Sequence, residues 1–309
     1  MQSFSKWTTA AEVAHVYGTE ISGKTIIITG VGPNGLGAAL CEAIAAHGPR
    51  LLILTGRDVE RVRTVVETVS AKYPEVQTAV VRMDLASRES VREAAAEIAR
   101  LSDRVHVLVN NAGVMCIPSR TLTSDGIETH LAVNYVGPFL LTRLIAKQLA
   151  ADRGRVVNVS SSAHAFGVPC VPGYGPLVAY GQSKTAAILH AKAIASGVMG
   201  SQILAYSVDP GGKNNHLRGI IVIRTNLWRH MPPDEVHHIL ESIPTKSPEQ
   251  GAATILVAAF SPNILEHSGA YLQDCSVSSA VARHADDAKV AMDLWGWTER
   301  VIGLDKDPR

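Results

Sequence analysis

Tyr180 and Lys184 stand four residues apart in a helical pattern, so both side chains project from one face about one turn apart. Of the seven tyrosines, this is the one followed by lysine at that spacing. A phenol titrates near pH ~10 and exchanges protons poorly at neutral pH; an adjacent ammonium favours the phenolate and brings it into working range. Two solvated side chains on a surface helix would show the same spacing. The run Asn158-Val159-Ser160-Ser161-Ser162 ends an apolar stretch just upstream, and its hydroxyls could hydrogen-bond an oxygen on which charge develops.

A second kind of chemistry lies near the start. Thr25 to Thr29 reads as a strand, Gly30 to Gly35 as a glycine-rich turn and Leu36 to His47 as a helix that Gly48-Pro49 stops. Free backbone N–H groups and the positive end of the helix dipole converge at such a junction, and Gly30, Gly35 and Gly37 would let an anion approach the main chain. An ordinary strand-to-helix turn, needing glycine only for its dihedrals, reads the same way.

These groups need a scaffold. Apolar runs at 51–54, 78–82, 105–109, 155–160, 203–208 and 270–272 alternate with helical patterns at 59–72, 87–100, 126–151, 178–199, 248–260 and 285–302. Continuous apolar strands separated by helices predict an α/β fold with a doubly wound parallel sheet, whose ligands bind at the carboxyl ends of the strands. The glycine turn, the serine run and the Tyr180–Lys184 pair all fall there. Residues 1–24 read as an N-terminal extension with a short helix at 9–16, and 25–309 as a single domain. Two irregular segments, about 162–179 and 209–246, have the length of functional loops. Ser247-Pro248-Glu249-Gln250 reads as a capped helix start, and Gly137-Pro138 as an interruption of the helix at 126–151.

Composition narrows the classes. A net charge of +1 and the absence of any Lys/Arg-rich run leave no footprint for nucleic acid or an anionic membrane. No stretch approaches the roughly 18 apolar residues of a membrane span. With 46% hydrophobic and only 18% charged residues, the surface is compatible with a homo-oligomer. The four cysteines lack metal-ligand or redox-motif spacing, which points to reduced thiols and a cytoplasmic setting. His230, His237 and His238 cluster without metal-site spacing, so no metal is expected.

From about Gly23 to Gly303 the chain resembles the short-chain dehydrogenase/reductase family. The resemblance is carried by the glycine turn, Asp84-Leu85, Asn110 to Gly113, Asn134 within Ala-Val-Asn-Tyr-Val-Gly, the serine run, Tyr180 to Lys184, and Pro210-Gly211. It looks closest to the retinol-dehydrogenase-like branch, through Thr8-Thr9-Ala10, Ser247 to Ala253 and Tyr271 to Cys275. It implies a Rossmann fold and a hydride transfer between a nicotinamide cofactor and a small-molecule carbonyl or alcohol.

By that resemblance Tyr180 is the acid/base, Lys184 lowers its pKa and holds the nicotinamide ribose, and Ser161 hydrogen-bonds the carbonyl oxygen, with Ser160 or Ser162 as alternatives. Asn134 supports a proton relay, or is a structural amide at the bend before Gly137-Pro138. Gly30, Asn34, Gly35, Leu36 and Gly37 line the pyrophosphate, and Asn111, Ala112 and Gly113 the adenosine side. Pro210, Gly211 and Thr225 belong to the cofactor edge. Asp84, with Leu85, contacts adenine or caps a turn. In Thr55-Gly56-Arg57-Asp58, Arg57 falls where NADP-preferring members resemble it and Asp58 suits the next helix cap, so NADP(H) is expected; Arg57 as a solvated charge is the other option.

Two features depart from the pattern. The family spaces its turn glycines at i, i+4 and i+6, whereas Gly30, Gly35 and Gly37 stand at i, i+5 and i+7, one residue longer within Val31 to Asn34. Gly212 to Arg224 is also extended, as a reshaped substrate lid or an insertion. Phe166, Val168, Pro169, Val171, Pro172, Tyr174 and Leu177, with Leu227, Trp228 and Met231, suggest an apolar substrate, or simply pack on each other. His164 is either a substrate contact or solvated. A dinucleotide-binding regulator without turnover and a sugar-nucleotide epimerase or dehydratase are the competing readings; the complete Asn134, Ser161, Tyr180 and Lys184 set and the Asn-Asn-Ala-Gly segment count against them.

Overall fold

Thr25-Ile-Ile-Ile-Thr29 is buried at every position. A strand of this kind must be covered on both faces, and it is an interior strand of the sheet, third from one edge. The structure is a computed structural model that describes residues 4–167, 173–212 and 221–304. Its strands are β1 (Thr25–Thr29), β2 (Leu51–Gly56), β3 (Thr78–Arg82), β4 (Val107–Asn110), β5 (Arg155–Val159), β6 (Leu204–Asp209), β7 (Val222–Ile223), β8 (Thr245–Lys246), β9 (Tyr271–Gln273) and β10 (Ser276–Val277).

The main sheet runs β3-β2-β1-β4-β5-β6-β9-β10, with every pair parallel except β9 and β10. Strand order reverses between β1 and β4, which opens a crevice at their carboxyl ends. Alternate residues separate into two cores. Ile26, Ile28, Leu52 and Leu54 pack towards helices Leu36–Ala45, Val59–Lys72 and Pro248–Phe260. Ile27, Ile53, Leu108 and Val156 face helices Arg88–Leu101, Gly137–Leu144, Pro176–Ala195 and Ala288–Ile302. The doubly wound α/β expectation holds.

Helix Ala10–Val16 is not a loose extension. Thr9 and Glu12 form a capping box, and Ala10, Val13 and Ala14 are buried in the first core. Ser247 and Gln250 form a second capping box, as their spacing predicts.

Three expectations need correction. Gly137-Pro138 does not interrupt its helix. Residues Ala132–Val136 instead make a π-helical turn in which the Gly137 N–H reaches the Ala132 carbonyl, and the helix continues to Leu144. A side chain at Gly137 would run into the Leu85 carbonyl, so close approach, not bending, demands glycine there. The segment 209–246 is not irregular throughout: it holds β7, the 3₁₀ turn Asn226–His230, helix Pro233–Ser242 and β8. That helix buries none of its residues, so its pattern carries little core signal. The sheet also gains β10, antiparallel and two residues long, which is too short for an alternating pattern to show.

β7 and β8 pair in parallel as a separate ribbon, Val222 with Thr245 and Ile223 with Lys246. The ribbon ties both ends of the segment 222–246 together.

Candidate active site

The crevice is a cleft of about 1020 Å³ across the carboxyl ends of β1, β4, β5 and β6. Tyr180 and Lys184 reach it from helix Pro176–Ala195, which starts with proline in its first turn and is buried along most of its length. Both side chains are almost wholly buried, and the Lys184 ammonium lies 5.5 Å from the Tyr180 ring centroid. Lys184 Nζ donates to the Val159 carbonyl at the end of β5, at 2.7 Å.

Local bonds distinguish the three serines. Ser160 Oγ donates to the Lys184 carbonyl at 2.8 Å and is committed to holding helix and strand together. Ser162 begins the 3₁₀ turn Ser162–Phe166. Ser161 caps that turn, accepting from the Ala163 N–H at 3.2 Å, and its hydroxyl lies close enough to the Tyr180 phenol to lower the phenol's pKa. Ser161, Tyr180 and Lys184 thus line the same cleft.

Electrostatics follow from burial. Desolvation pushes the Tyr180 phenol well above its ordinary range, and the Ser161 hydroxyl opposes that rise. Burial pushes the Lys184 ammonium down to about 8, against the attraction of the Asp209 carboxylate. Asp209, at the end of β6, is itself raised by burial; the Gln273 amide at 2.8 Å and the Gly211 N–H at 3.0 Å counter this.

Asn134 sits in the π-helical turn behind the cleft wall. Its Oδ1 accepts from the Val114 N–H at 2.8 Å, and its Nδ2 donates to the Val114 carbonyl at 2.9 Å and to Ser183 Oγ at 2.8 Å. A side chain at Gly113 would place its Cβ 3.3 Å from Asn134 Oδ1 and 3.6 Å from Lys184 Nζ, so amide, ammonium and the β4 loop are immediate neighbours. Asn134 is a bracket for that loop in a continuous helix, not an amide satisfying a bend.

The glycine turn fits a dinucleotide pyrophosphate. Gly30 has φ +70°, and a Cβ there would lie 2.5 Å from the Ala112 Cα, so only glycine lets the two loops close together. Asn111 Nδ2 ties those loops, donating to the Thr29 carbonyl at 2.7 Å and the Gly30 carbonyl at 3.2 Å. Within the lengthened turn Asn34 takes φ +59°, just before helix Leu36–Ala45. Gly30, Gly35, Leu36, Asn111, Ala112 and Gly113 line the cleft; Asn34 and Gly37 do not, Gly37 packing instead against Gly30 and Val31.

Arg57, Asp84, Leu85, Pro210, Gly211 and Thr225 also line the cleft. Asp58 caps helix Val59–Lys72 through the Glu60 and Arg61 N–H groups, as expected, which leaves Arg57 facing the cleft. Asp84 Oδ1 accepts from the Ala86 N–H at 3.0 Å, which is the turn-capping alternative, and the residue lies at the cleft edge. Thr225 accepts from the Leu227 N–H and caps the lid's 3₁₀ turn.

At the far end Met115, Ala163 and Tyr180 pack with Cys116, Leu227, Trp228 and Met231. Phe166 and Leu177 line the same space and are half exposed. Tyr174 turns away, its hydroxyl donating to the Ile117 carbonyl at 3.1 Å. Val168, Pro169, Val171 and Pro172, and residues 213–220 of the extended Gly212 to Arg224 segment, lie outside the described residues. His164 is neither solvated nor on the cleft: it is buried, with Nδ1 donating to the Ser161 carbonyl and Nε2 accepting from the Ala282 N–H.

Sequence reasoning missed Asp209, Met115, Cys116, Arg61 and Arg229. An acidic residue closing an apolar strand directly before Pro210-Gly211 was a legible signal for Asp209. Arg229 had none, because only the fold of the lid brings it to the cleft.

The family model described as short chain dehydrogenase matches residues 24–219. The chain is 52% identical to the oxidoreductase fscI of Fusarium equiseti over 247 residues, covering 69% of this chain and 96% of that relative. It is 32% identical to retinol dehydrogenase 12 of Mus musculus over 292 residues, covering 92% of this chain and 88% of the relative. Among solved structures, the NADPH-bound carbonyl reductase from chicken fatty liver aligns with a TM-score of 0.61 at 19% identity, covering 82% of this chain and 96% of that one. At that identity the likeness is one of fold.

Proposed function

This chain belongs to the short-chain dehydrogenase family, and from that premise we propose that it is an NADP(H)-dependent oxidoreductase interconverting a ketone or aldehyde and an alcohol on a largely apolar small molecule. The observation that carries the reading is that Ser161, Tyr180 and Lys184 line one cleft whose other end is a glycine cradle.

NADPH, when bound, supplies the hydride. In the reductive direction the Tyr180 hydroxyl gives its proton to the carbonyl oxygen, a role typically worth about 10²–10⁴-fold. Ser161 donates a hydrogen bond to the same oxygen as charge builds on it. The Lys184 ammonium, anchored on the Val159 carbonyl, stabilises the phenolate left behind. Asn134 and Ser183 hold the 113–114 main chain against this group. In oxidation the same proton path runs backwards.

NADP(H) is supported by Arg57, which faces the cleft while Asp58 is used as a helix cap. The apolar substrate is supported by the Met115, Leu227, Trp228 and Met231 wall beside Tyr180, and by relatives named for retinol. Among the described residues Cys41, Cys116 and Cys275 are free thiols, in keeping with a reducing, cytosolic setting, and no helix is long and apolar enough to cross a membrane.

The test is NADPH oxidation measured across carbonyl compounds of rising hydrophobicity, with Tyr180→Phe beside the unmodified protein. Turnover of apolar carbonyls that collapses in the variant is expected. Equal rates in both proteins would remove Tyr180 from the chemistry, and preference for small charged carbonyls would overturn the substrate class.

A further inference from the structure

We propose that Arg229, carried on the 222–246 segment over the cleft, completes a phosphate-binding end of the cleft with Arg57 and Arg61, so that a nucleotide bearing a 2′-phosphate steadies this lid in its fastened position and one lacking it does not. The inference rests on the NADP(H) reading and extends it from a single arginine beside β2 to a residue of the segment that covers the cleft.

Three elements contribute the cluster. Arg57 follows β2, Arg61 lies in the first turn of helix Val59–Lys72, and Arg229 belongs to the lid's 3₁₀ turn Asn226–His230. All three line the one cleft. Arg61 lies along the glycine turn, its Nε 3.5 Å from where a Cβ on Gly32 would stand. Arg229 Nη1 donates to the Asn226 carbonyl at 3.2 Å, and Asn226 Nδ2 donates to the Pro33 carbonyl at 3.3 Å. The lid is therefore already fastened to the turn at Pro33, within the stretch that makes this turn one residue longer than the family's.

No carboxylate answers the cluster. Asp58 is occupied by the Glu60 and Arg61 N–H groups, and among the described residues none of the three guanidiniums forms an ion pair. Burial, with the fields of Arg57 and Arg61, pushes the Arg229 guanidinium below its ordinary range. A dianion is the ligand that relieves this repulsion, and guanidinium groups bind phosphate through paired N–H donors. Leu227 and Trp228, directly before Arg229 in the chain, pack against the Met115–Tyr180 cluster. One short turn thus touches the phosphate end through Arg229 and the substrate end through its neighbours.

Two nucleotide fragments without nicotinamide separate the possibilities. The full chain would be titrated with 2′,5′-ADP and with 5′-AMP by calorimetry, with hydrogen exchange followed over residues 221–246. The expected result is tighter binding of 2′,5′-ADP and slowed exchange in the lid with that fragment only. Arg229→Gln should weaken 2′,5′-ADP by roughly tenfold, leave 5′-AMP unchanged and abolish the lid's protection, with Arg229→Lys intermediate. If Arg229→Gln binds 2′,5′-ADP like the unmodified protein while Arg57→Gln does not, the lid proposal falls and the NADP(H) reading stands. If the unmodified protein does not distinguish the two fragments, both fall.

Discussion

The Lys184 ammonium lies 5.5 Å from the centre of the Tyr180 ring, and the Asp209 carboxylate raises its pKa against burial. Burial alone drives Lys184 towards its neutral form, which could not stabilise a phenolate. The carboxylate at the end of β6 favours the charged ammonium, while it also raises the Tyr180 phenol.

That relationship gives a pH dependence. Lys184 sits at about 8, below its ordinary 10.5, so it is charged below pH 8 and loses its proton as pH rises through that value. For carbonyl reduction kcat/KM should fall on the alkaline side, and Asp209→Asn, which removes the opposing charge, should move that limb to lower pH. The pH profile of kcat/KM in the two proteins checks this; an unmoved limb would take Asp209 out of the role.

The serines should respond differently. Ser161→Ala removes a hydrogen bond to the reacting oxygen and should lower kcat by about 10²–10³-fold with little change in stability. Ser160→Ala removes a buried bond to the Lys184 carbonyl and should cost stability, about 1 kcal/mol, more than turnover. Denaturant unfolding and steady-state kinetics on both variants would show a reversed pattern if the assignment were wrong.

Gly30→Ala should abolish dinucleotide binding. The new methyl meets the Ala112 main chain at 2.5 Å from a backbone at φ +70°, and the conformation alone costs about 1–2 kcal/mol for a residue with a side chain. Calorimetric titration with NADPH reads the loss; normal affinity in the variant would contradict the cradle.

His190 predicts acid sensitivity. It is enclosed by Tyr135, Phe139 and Trp295, with ring centroids 5.9, 5.2 and 5.9 Å away. Its Nδ1 accepts from Asn158 Nδ2 at 3.2 Å, and its Nε2 has no hydrogen-bond partner among the described residues. Burial pushes its pKa from 6.5 down to about 3. The unfolded chain therefore binds a proton that the folded one refuses, and stability, full above pH 6.5, declines by about 1.4 kcal/mol per pH unit as pH falls towards 3. His190→Phe should shift the acid unfolding midpoint to lower pH, as followed by circular dichroism; an unchanged midpoint would acquit His190.

The sequence by itself determined what is local and periodic. The apolar runs at β1, β2, β4, β5 and β6 placed the parallel sheet, because a strand covered on both faces cannot alternate with polar residues. Ser247-x-x-Gln250 announced its helix because a capping box closes within four residues. Tyr180 and Lys184 were legible because four residues make about one helical turn. Tertiary structure decided what depends on residues far apart in the chain. It set which serine faces the phenol, through the Ser160 bond to Lys184; it converted the expected break at Gly137 into a π turn against Leu85; and it folded Pro233–Ser242, a helix without a buried face. It also brought Asp209 to Lys184 and Arg229 to Arg57. Burial and charge at those points are properties of the space between elements, and no spacing within one element encodes them.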